Sequence, residues 1–341
     1  MWESGQSGLR FVNRPAAIGN NMFKRIAFAA VLLFSASDLR AQLKVSIVDV
    51  GQGDSIYIEF PNGTNTLIDG GSSGVLVNNF LKSKGVTKID RVVLTHPHSD
   101  HYRGLKKVFE AYEVKSFYDT KAENRDAQGD NNLRELAAAE GAKTYYPEPD
   151  VTLNWDSKVT VKVLNSCYVP VIIHDNDETN NCSLVLRMYY NGNGIMFMGD
   201  ANEEVESAMM NRYKSGLNSV ILKVGHHGAR TSSSAPFLER VHPKYAYISV
   251  GLGNVYGHPH KEALDRLRAI GAKILLTTAG TQSFTIPAPV KGQQGPGEPV
   301  IDTTNLAADQ KFEDMTLTWT PEAPVGLDAP AASQLSDSAA K

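Results

Sequence analysis

Between Thr95 and His101 the chain reads Thr-His-Pro-His-Ser-Asp-His, which places four ligand-type side chains, His96, His98, Asp100 and His101, within six positions. Taken singly, a histidine is most often a satisfied core or surface residue. Four such groups crowded together would be poorly compensated without a cation, because their lone pairs and charges repel or go unpaired. The run directly follows the apolar segment Arg91–Leu94, which reads as a buried strand, so the side chains are expected on a loop fixed by that strand, able to surround two adjacent cations. Four further segments sit at the ends of predicted strands, where a scaffold usually carries functional loops. They are Asn180-Asn181-Cys182-Ser183, Gly199-Asp200, Gly225-His226-His227-Gly228 and Tyr256-Gly257-His258-Pro259. The two oxygens of Asp200 suit a bridge between two metals. The same residue suits the cap of a helix starting near Glu203, and the two roles are compatible. Two cysteines, Cys167 and Cys182, are too few for a thiolate zinc site or a disulfide scaffold, which leaves His, Asp and Glu as ligands.

The elements that must position these residues alternate along the chain. Strands are predicted at Leu43–Val50, Ser55–Phe60, Thr64–Ile68, Arg91–Leu94, Lys158–Leu164, Ser183–Tyr190, Ile195–Met198, Val220–Val224, Tyr245–Val250, Lys273–Leu276 and Ser283–Ile286, with Asn62-Gly63 as a hairpin turn. Helical spacing predicts helices at Val75–Lys84, Leu105–Tyr112, Asn132–Ala139, Glu203–Tyr213, Pro236–Val241 and Lys261–Ile270. Strand-rich runs with helices inserted after them suggest two sheets packed face to face with helices outside. With 42% hydrophobic and 21% charged residues over 341 positions, a disordered or fibrous chain is excluded. A balance of 34 Lys+Arg against 37 Asp+Glu, a formal charge of −3, excludes a global basic field that would hold the protein on nucleic acid; a local basic groove stays open.

Ahead of this core, Met22-Phe23-Lys24-Arg25 leads into the apolar run Ile26–Phe34 and small residues up to Ala41, the shape of a secretory signal peptide. A run of about nine apolar residues is far short of the roughly 20 that span a bilayer, so no permanent membrane anchor is expected and the protein is read as exported, periplasmic or extracellular. From Pro287 the composition turns to Pro, Gly, Gln and Ala, with one strand-like island at Met315–Trp319. The expected organisation is therefore an N-terminal extension and signal peptide over 1–41, a main folded domain over 42–287, and a peripheral extension with a loose tail over 288–341.

His-Pro-His-Ser-Asp-His is similar to the HxHxDH signature of the metallo-β-lactamase superfamily. The further segments Asp49-Val50-Gly51-Gln52-Gly53-Asp54-Ser55, Leu67-Ile68-Asp69-Gly70-Gly71, Asn181–Leu186, Gly199-Asp200, His226-His227-Gly228 and Asn254–Pro259 resemble, in order, the C-terminal hydrolase domain of ComEC-type DNA-uptake channels and related secreted hydrolases. The resemblance spans about Lys44–Ile286. It implies an α+β fold, a four-layer αββα sandwich, two divalent metal ions (zinc or manganese) at the edge of the sheets, and hydrolysis. Carried over by position, it implies His96 and His98 on one metal, Asp100 and His101 on the second, and Asp200 as the bridge. One of His226 and His227 completes the second metal; we take His227, with His226 facing the substrate. Many members of the superfamily put a third histidine on the first metal where this chain has Asn181, an amide better suited to a harder cation such as manganese. The branch usually follows its histidine pair with Gly-Ser, where this chain has Gly228-Ala229 and hydroxyls only from Thr231 to Ser234.

Two cations roughly 3.5 to 4 Å apart acidify a water and clamp attacking and leaving oxygens, so no separate nucleophile is needed. Asp100, Asp200, His226 and His258 are the expected catalytic groups, with His226 or His258 stabilising a developing oxyanion or protonating the leaving group. Asp69 is expected to orient a ligand histidine from behind; Asp49 and Asp54 are read either that way or as turn-forming residues. The favoured reading is an exported hydrolase of a small or polymeric phosphodiester, DNA included. Alternatives are a hydrolase of the same fold acting on a lactam, lactone or cell-envelope phosphoester, and a non-catalytic binding module with structural metals. An oxidising compartment favours pairing of Cys167 with Cys182 around an acidic loop holding His174, Asp175, Asp177 and Glu178, against two separate buried thiols.

Overall fold

Both faces of the central strands are apolar. In the run Ile195-Met196-Phe197-Met198, residues 195 and 197 join one buried cluster while 196 and 198 join another, and Val93 is separated in the same way from Val92 and Leu94. A sheet with two apolar faces must be covered on both. The computed structural model describes Met1 and residues 41–123, 129–168, 171–172, 176–292 and 294–304. The expected leader, the island at 315–319, His174 and Asp175 lie outside the described residues.

The first half contributes β1 (Leu43–Ile47), β2 (Ile56–Glu59), β3 (Asn65–Ile68), α1 (Gly74–Ser83), β4 (Lys88–Val93), α2 (Ser99–Ala111), β5 (Glu113–Tyr118), β6 (Ala122–Glu123), α3 (Gly129–Ala139) and β7 (Lys143–Tyr145). The second contributes β8 (Thr152–Leu153), β9 (Thr160–Asn165), β10 (Val171–Ile172), α4 (Asn176–Asn181), β11 (Val185–Tyr190), β12 (Asn193–Phe197), α5 (Glu203–Tyr213), β13 (Ile221–Lys223), α6 (Ala235–Val241), β14 (Tyr245–Ile248), α7 (Lys261–Ala269) and β15 (Lys273–Leu276). The chain then returns to the first sheet as β16 (Gln282–Ile286) and β17 (Val300–Ile301). The strand orders are β17-β16-β1-β2-β3-β4-β5-β7 and β15-β14-β13-β12-β11-β9-β8, with β6 and β10 as a separate pair.

Three buried layers define the stack. Val45, Ile58 and Val93 meet Val163, Leu186, Phe197 and Tyr247 between the sheets. Val77, Leu105, Phe109 and Leu133 of α1 to α3 cover the outside of the first sheet, and Val205, Phe237 and Leu267 of α5 to α7 cover the second. This is the four-layer αββα sandwich. Each half opens antiparallel and turns parallel: β3-β4-β5-β7 and β12-β13-β14-β15 are parallel series whose crossovers are the helices.

Two elements differ from the sequence expectation in ways that bear on the site. Helix α2 begins at Ser99, not Leu105, so Asp100 and His101 lie on its first turn and not on a loop. Its first turn carries no apolar period because those side chains face the site. Strand β5 was missed because its buried positions, Val114 and Phe117, do not alternate cleanly around Lys115 and Ser116. The segment past Pro287 supplies β17, which pairs antiparallel with β16, and Asn193 Nδ2 donates to Gly297 O at 2.7 Å. Cys167 and Cys182 are joined by a disulfide with Cα atoms 4.9 Å apart.

Helix α2 is seated on the turn after β3 by a glycine pair. Gly70 N–H donates to His101 O at 2.8 Å and Gly104 N–H to Gly71 O at 2.9 Å. A Cβ on Gly104 would lie 1.8 Å from Gly70 O. Gly104→Ala should therefore push α2 off the turn and destabilise the chain by about 1–3 kcal/mol despite alanine's better helix propensity. Urea unfolding at unchanged or raised stability would contradict this seating.

Candidate metal centre

Five loops converge at one end of the sandwich, each leaving the carboxyl end of a parallel strand: Asp69 after β3, His96 and His98 after β4, Asp200 after β12, His227 after β13 and His258 after β14. Asp200 stands at the middle. Its Oδ2 lies 3.2 Å from His227 Nε2, 3.3 Å from His101 Nε2 and 3.8 Å from His96 Nε2. Asp100 reaches the same space from α2, with Oδ2 3.3 Å from His227 Nε2. His98 Nδ1 faces His96 Nε2 at 3.0 Å. Ligand atoms of two triads, His96 with His98 and Asp200, and Asp100 with His101 and His227, each fall within 4.8 Å of one another; a third grouping, Asp54 with His101 and Asp200, overlaps them.

The tautomers are set from behind. Thr95 Oγ1 donates its one proton to Asp69 Oδ2 (2.6 Å), so toward His96 Nδ1 (3.1 Å) it accepts, which leaves Nε2 as a lone pair facing Asp200. Asp69 Oδ2 takes the Nδ1–H of His101 at 2.7 Å, and Ser249 O takes that of His227 at 2.9 Å. His96, His101 and Asp69 are fully buried, and His227 and Asp200 are 2% exposed. Buried there without a hydrogen-bond partner are the Nε2 atoms of His98, His101 and His227 and Oδ1 of Asp200. Buried imidazole nitrogens and a carboxylate oxygen aimed at one another in this way fit a divalent metal ion, which would take the place of protons between them.

The charges follow the same geometry. Burial opposes protonation of His101, but Asp200, Asp69 and Asp100 hold its pKa well above the ordinary imidazole value. His227 is likewise driven up against its burial by Asp200 and Asp100. Burial, with His101 beside it, presses His96 well below that value. Asp200, which burial alone would raise, is held well below the carboxylate range by His227 and His101.

Other expected residues divide. Asp69 stands fully buried behind the His101 ring. Asp54 is buried, with Oδ1 3.4 Å from His227 Nδ1. Asp49 is exposed and accepts the Gly51 N–H at 3.2 Å, the contact of a turn-forming residue. The side-chain oxygen of Asn181 accepts the Asn202 N–H at 3.2 Å, as α4 carries it toward the start of α5. Its neighbour Asn180 is buried and meets His226 Nε2 at 3.4 Å. Asp200 is not the cap of α5, which is Asn202. His226 stands beside the triads: Asn202 Oδ1 takes its Nδ1–H at 3.0 Å and also accepts from Thr231 Oγ1, one of the hydroxyls beyond Ala229. Backbone φ values of 44° and 51° at His226 and His227, followed by Gly228 at 77°, turn the two rings to different sides. His258 packs 5.3 Å from the His226 ring; burial, then His227 and His226, lower its pKa to about 3.

Sequence reasoning missed Lys223. Its Nζ is buried, 2.7 Å from Asp54 Oδ2 and 2.8 Å from Val224 O, and it compensates the acid behind His227. The signal was there as one charge inside the otherwise apolar run Val220–Val224.

The chain belongs to the metallo-beta-lactamase superfamily, whose family model matches residues 48–252. It is similar to ComE operon protein 3 of Bacillus subtilis, 29% identical over 81% of this chain and 37% of that protein. It is also similar to competence protein ComA of Neisseria gonorrhoeae, 30% identical over 68% of this chain and 30% of that one, so it spans about a third of the length of these relatives. Among solved structures it is similar to CmlA, a diiron β-hydroxylase from Streptomyces venezuelae, with a TM-score of 0.49 and 13% identity over 71% of this chain and 53% of that one, too distant to bear on chemistry.

Lys223→Met should leave Asp54 buried and uncompensated, cost about 3 kcal/mol in urea unfolding, and weaken metal binding about tenfold to a hundredfold in a chelator competition. Pairing it with Asp54→Asn should restore stability but not affinity. Unchanged affinity in Lys223→Met would show that the pair does not support the centre.

Proposed function

We propose that this chain is an exported metal-dependent hydrolase with a dinuclear site, acting on phosphodiesters, with nucleic acid as the leading substrate. The observation that carries the reading is the convergence of unpartnered buried imidazole nitrogens on the Asp200 carboxylate. His96, His98 and Asp200 would hold one cation and Asp100, His101 and His227 the second, with Asp200 shared; zinc and manganese both suit these donors. Such a pair supplies an acidified water and neutralises the oxygens of a phosphate. The chain's own residues do the rest. Asp69, Thr95, Ser249 and Asp54 fix the ligand rings, and Ser183 Oγ accepts the Asp200 N–H at 2.9 Å, which steadies the shared carboxylate. His226, held by Asn202, presents Nε2 toward Asn180 at the rim and is placed to orient substrate. His258, neutral at ordinary pH, suits hydrogen bonding to a developing oxyanion better than delivery of a proton to the leaving group.

The names of relatives, among them one called a competence protein and one called Recombination protein 2, in Haemophilus influenzae, support DNA as the substrate to try first. The Cys167–Cys182 bond supports an oxidising location. Among the described residues no helix is long and apolar enough to cross a membrane. The test is turnover of bis(p-nitrophenyl) phosphate, single-stranded DNA and a lactam by the zinc- or manganese-loaded chain. Phosphodiester and DNA cleavage, abolished in Asp200→Ala while the fold survives by circular dichroism, is the expected result. Lactam turnover alone would move the chain to the lactam branch. Bound metal with no turnover of any substrate would favour the binding module, and full activity in Asp200→Ala would sink the dinuclear site.

A further inference from the structure

The loop Gly251–His258 stands at the mouth of the centre, and Asn254 pins its base. Asn254 Nδ2 donates to Gly251 O at 3.0 Å and to His258 O at 2.7 Å, while its Oδ1 accepts the His258 N–H at 3.0 Å. Gln52 Oε1 accepts the Gly251 N–H at 3.2 Å and ties the loop to the first sheet's side of the site. Outward, this fixed loop presents apolar side chains: Leu252, Val255 and Tyr256 are 70%, 93% and 61% exposed. Inward, it carries His258, whose ring stacks on Tyr256 with centroids 5.7 Å apart and planes 22° apart. The His258 ring in turn lies 6.1 Å from that of His227. An aromatic path therefore runs from the open face of Tyr256 to a candidate metal ligand.

We propose that Tyr256, backed by His258, is a stacking platform for a nucleobase of single-stranded nucleic acid, placed so that the adjoining backbone phosphate lies over the centre. The proposal rests on the phosphodiesterase reading and names how that substrate is held. A planar ring is the ligand that an exposed aromatic face with a ring already stacked beneath it accommodates, and such stacking is tolerant of sequence. Electrostatics points the same way. A chain of formal charge −3 has no global basic field to hold a strand by counterion release, which puts weight on contacts to the bases. The strand must be single, because in a duplex both faces of a base are covered by its neighbours.

Anisotropy of fluorescein-labelled oligothymidylate, and of a strand of equal length built from abasic tetrahydrofuran units, tests this with the full chain in chelator, where no strand is cut. The wild type should bind the thymidine strand about tenfold tighter than the abasic one. Tyr256→Phe should keep that ratio, and Tyr256→Ala should bring the two strands within about twofold. Equal binding of both strands by the wild type, no binding of either, or a ratio that persists in Tyr256→Ala would overturn the platform. Turnover of bis(p-nitrophenyl) phosphate by the metal-loaded wild type reports separately on the chemistry. Turnover without base discrimination removes the platform alone, and discrimination without turnover supports the platform and removes the phosphodiesterase reading.

Discussion

Asp200 is a carboxylate with almost no exposure, set between the ring nitrogens of His227, His101 and His96. In so dry a place an anion persists only beside positive charge. Asp54, Asp69 and Asp100 bring three more carboxyl groups to the same region, and Lys223 brings its ammonium group to Asp54. In the metal-free chain the surrounding carboxylates favour protons on His101 and His227 and hold both pKa values well above the ordinary imidazole value. The proposed cations would take over the work of those protons, freeing the Nε2 lone pairs that the backing hydrogen bonds already aim inward.

The scaffold explains why such a crowded cluster is held so firmly. Parallel strands in register bring their carboxyl ends to one level: Ile68 lies opposite Val93 in the first sheet, and Phe197, Lys223 and Tyr247 lie side by side in the second. Loops leaving these ends meet where the two sheets face each other, and open parallel sheets characteristically bind ligands outside that end of their strands. The Gly70 and Gly104 contact sets the first turn of α2, hence Asp100 and His101, against the turn that carries Asp69. Behind the rings of His101 and His227 stand acceptors from other segments, Asp69 and Ser249, so these two rings cannot turn without breaking a buried hydrogen bond.

Much of this was legible in sequence because the ligands are clustered locally. His96 to His101 lie on consecutive positions, the strands before them are continuous apolar runs, and the layer order follows from strands apolar on both faces. What stayed hidden depends on long-range pairing. Lys223 and Asp54 are 169 positions apart by number, and only the packing of the two sheets shows that one compensates the other. The early start of α2 was hidden because its first turn is spent on the site and carries no apolar period. Asn181 and Asn180 differ by one residue, and helix α4 decides which amide meets His226 and which meets the backbone of Asn202. Asp49 and Asp54 look equivalent in the string Asp-Val-Gly-Gln-Gly-Asp; one is exposed in a turn, the other buried behind His227.

The central claim is that divalent cations replace protons at the Asp200 cluster. Calorimetric titration of the chelator-treated chain with zinc at pH 7, repeated in buffers of different ionisation enthalpy, measures both the cations bound and the protons expelled. The account predicts two equivalents of zinc per chain with net release of protons from the cluster. Binding of zinc with no proton release, or no saturable binding by the folded chain, would contradict it.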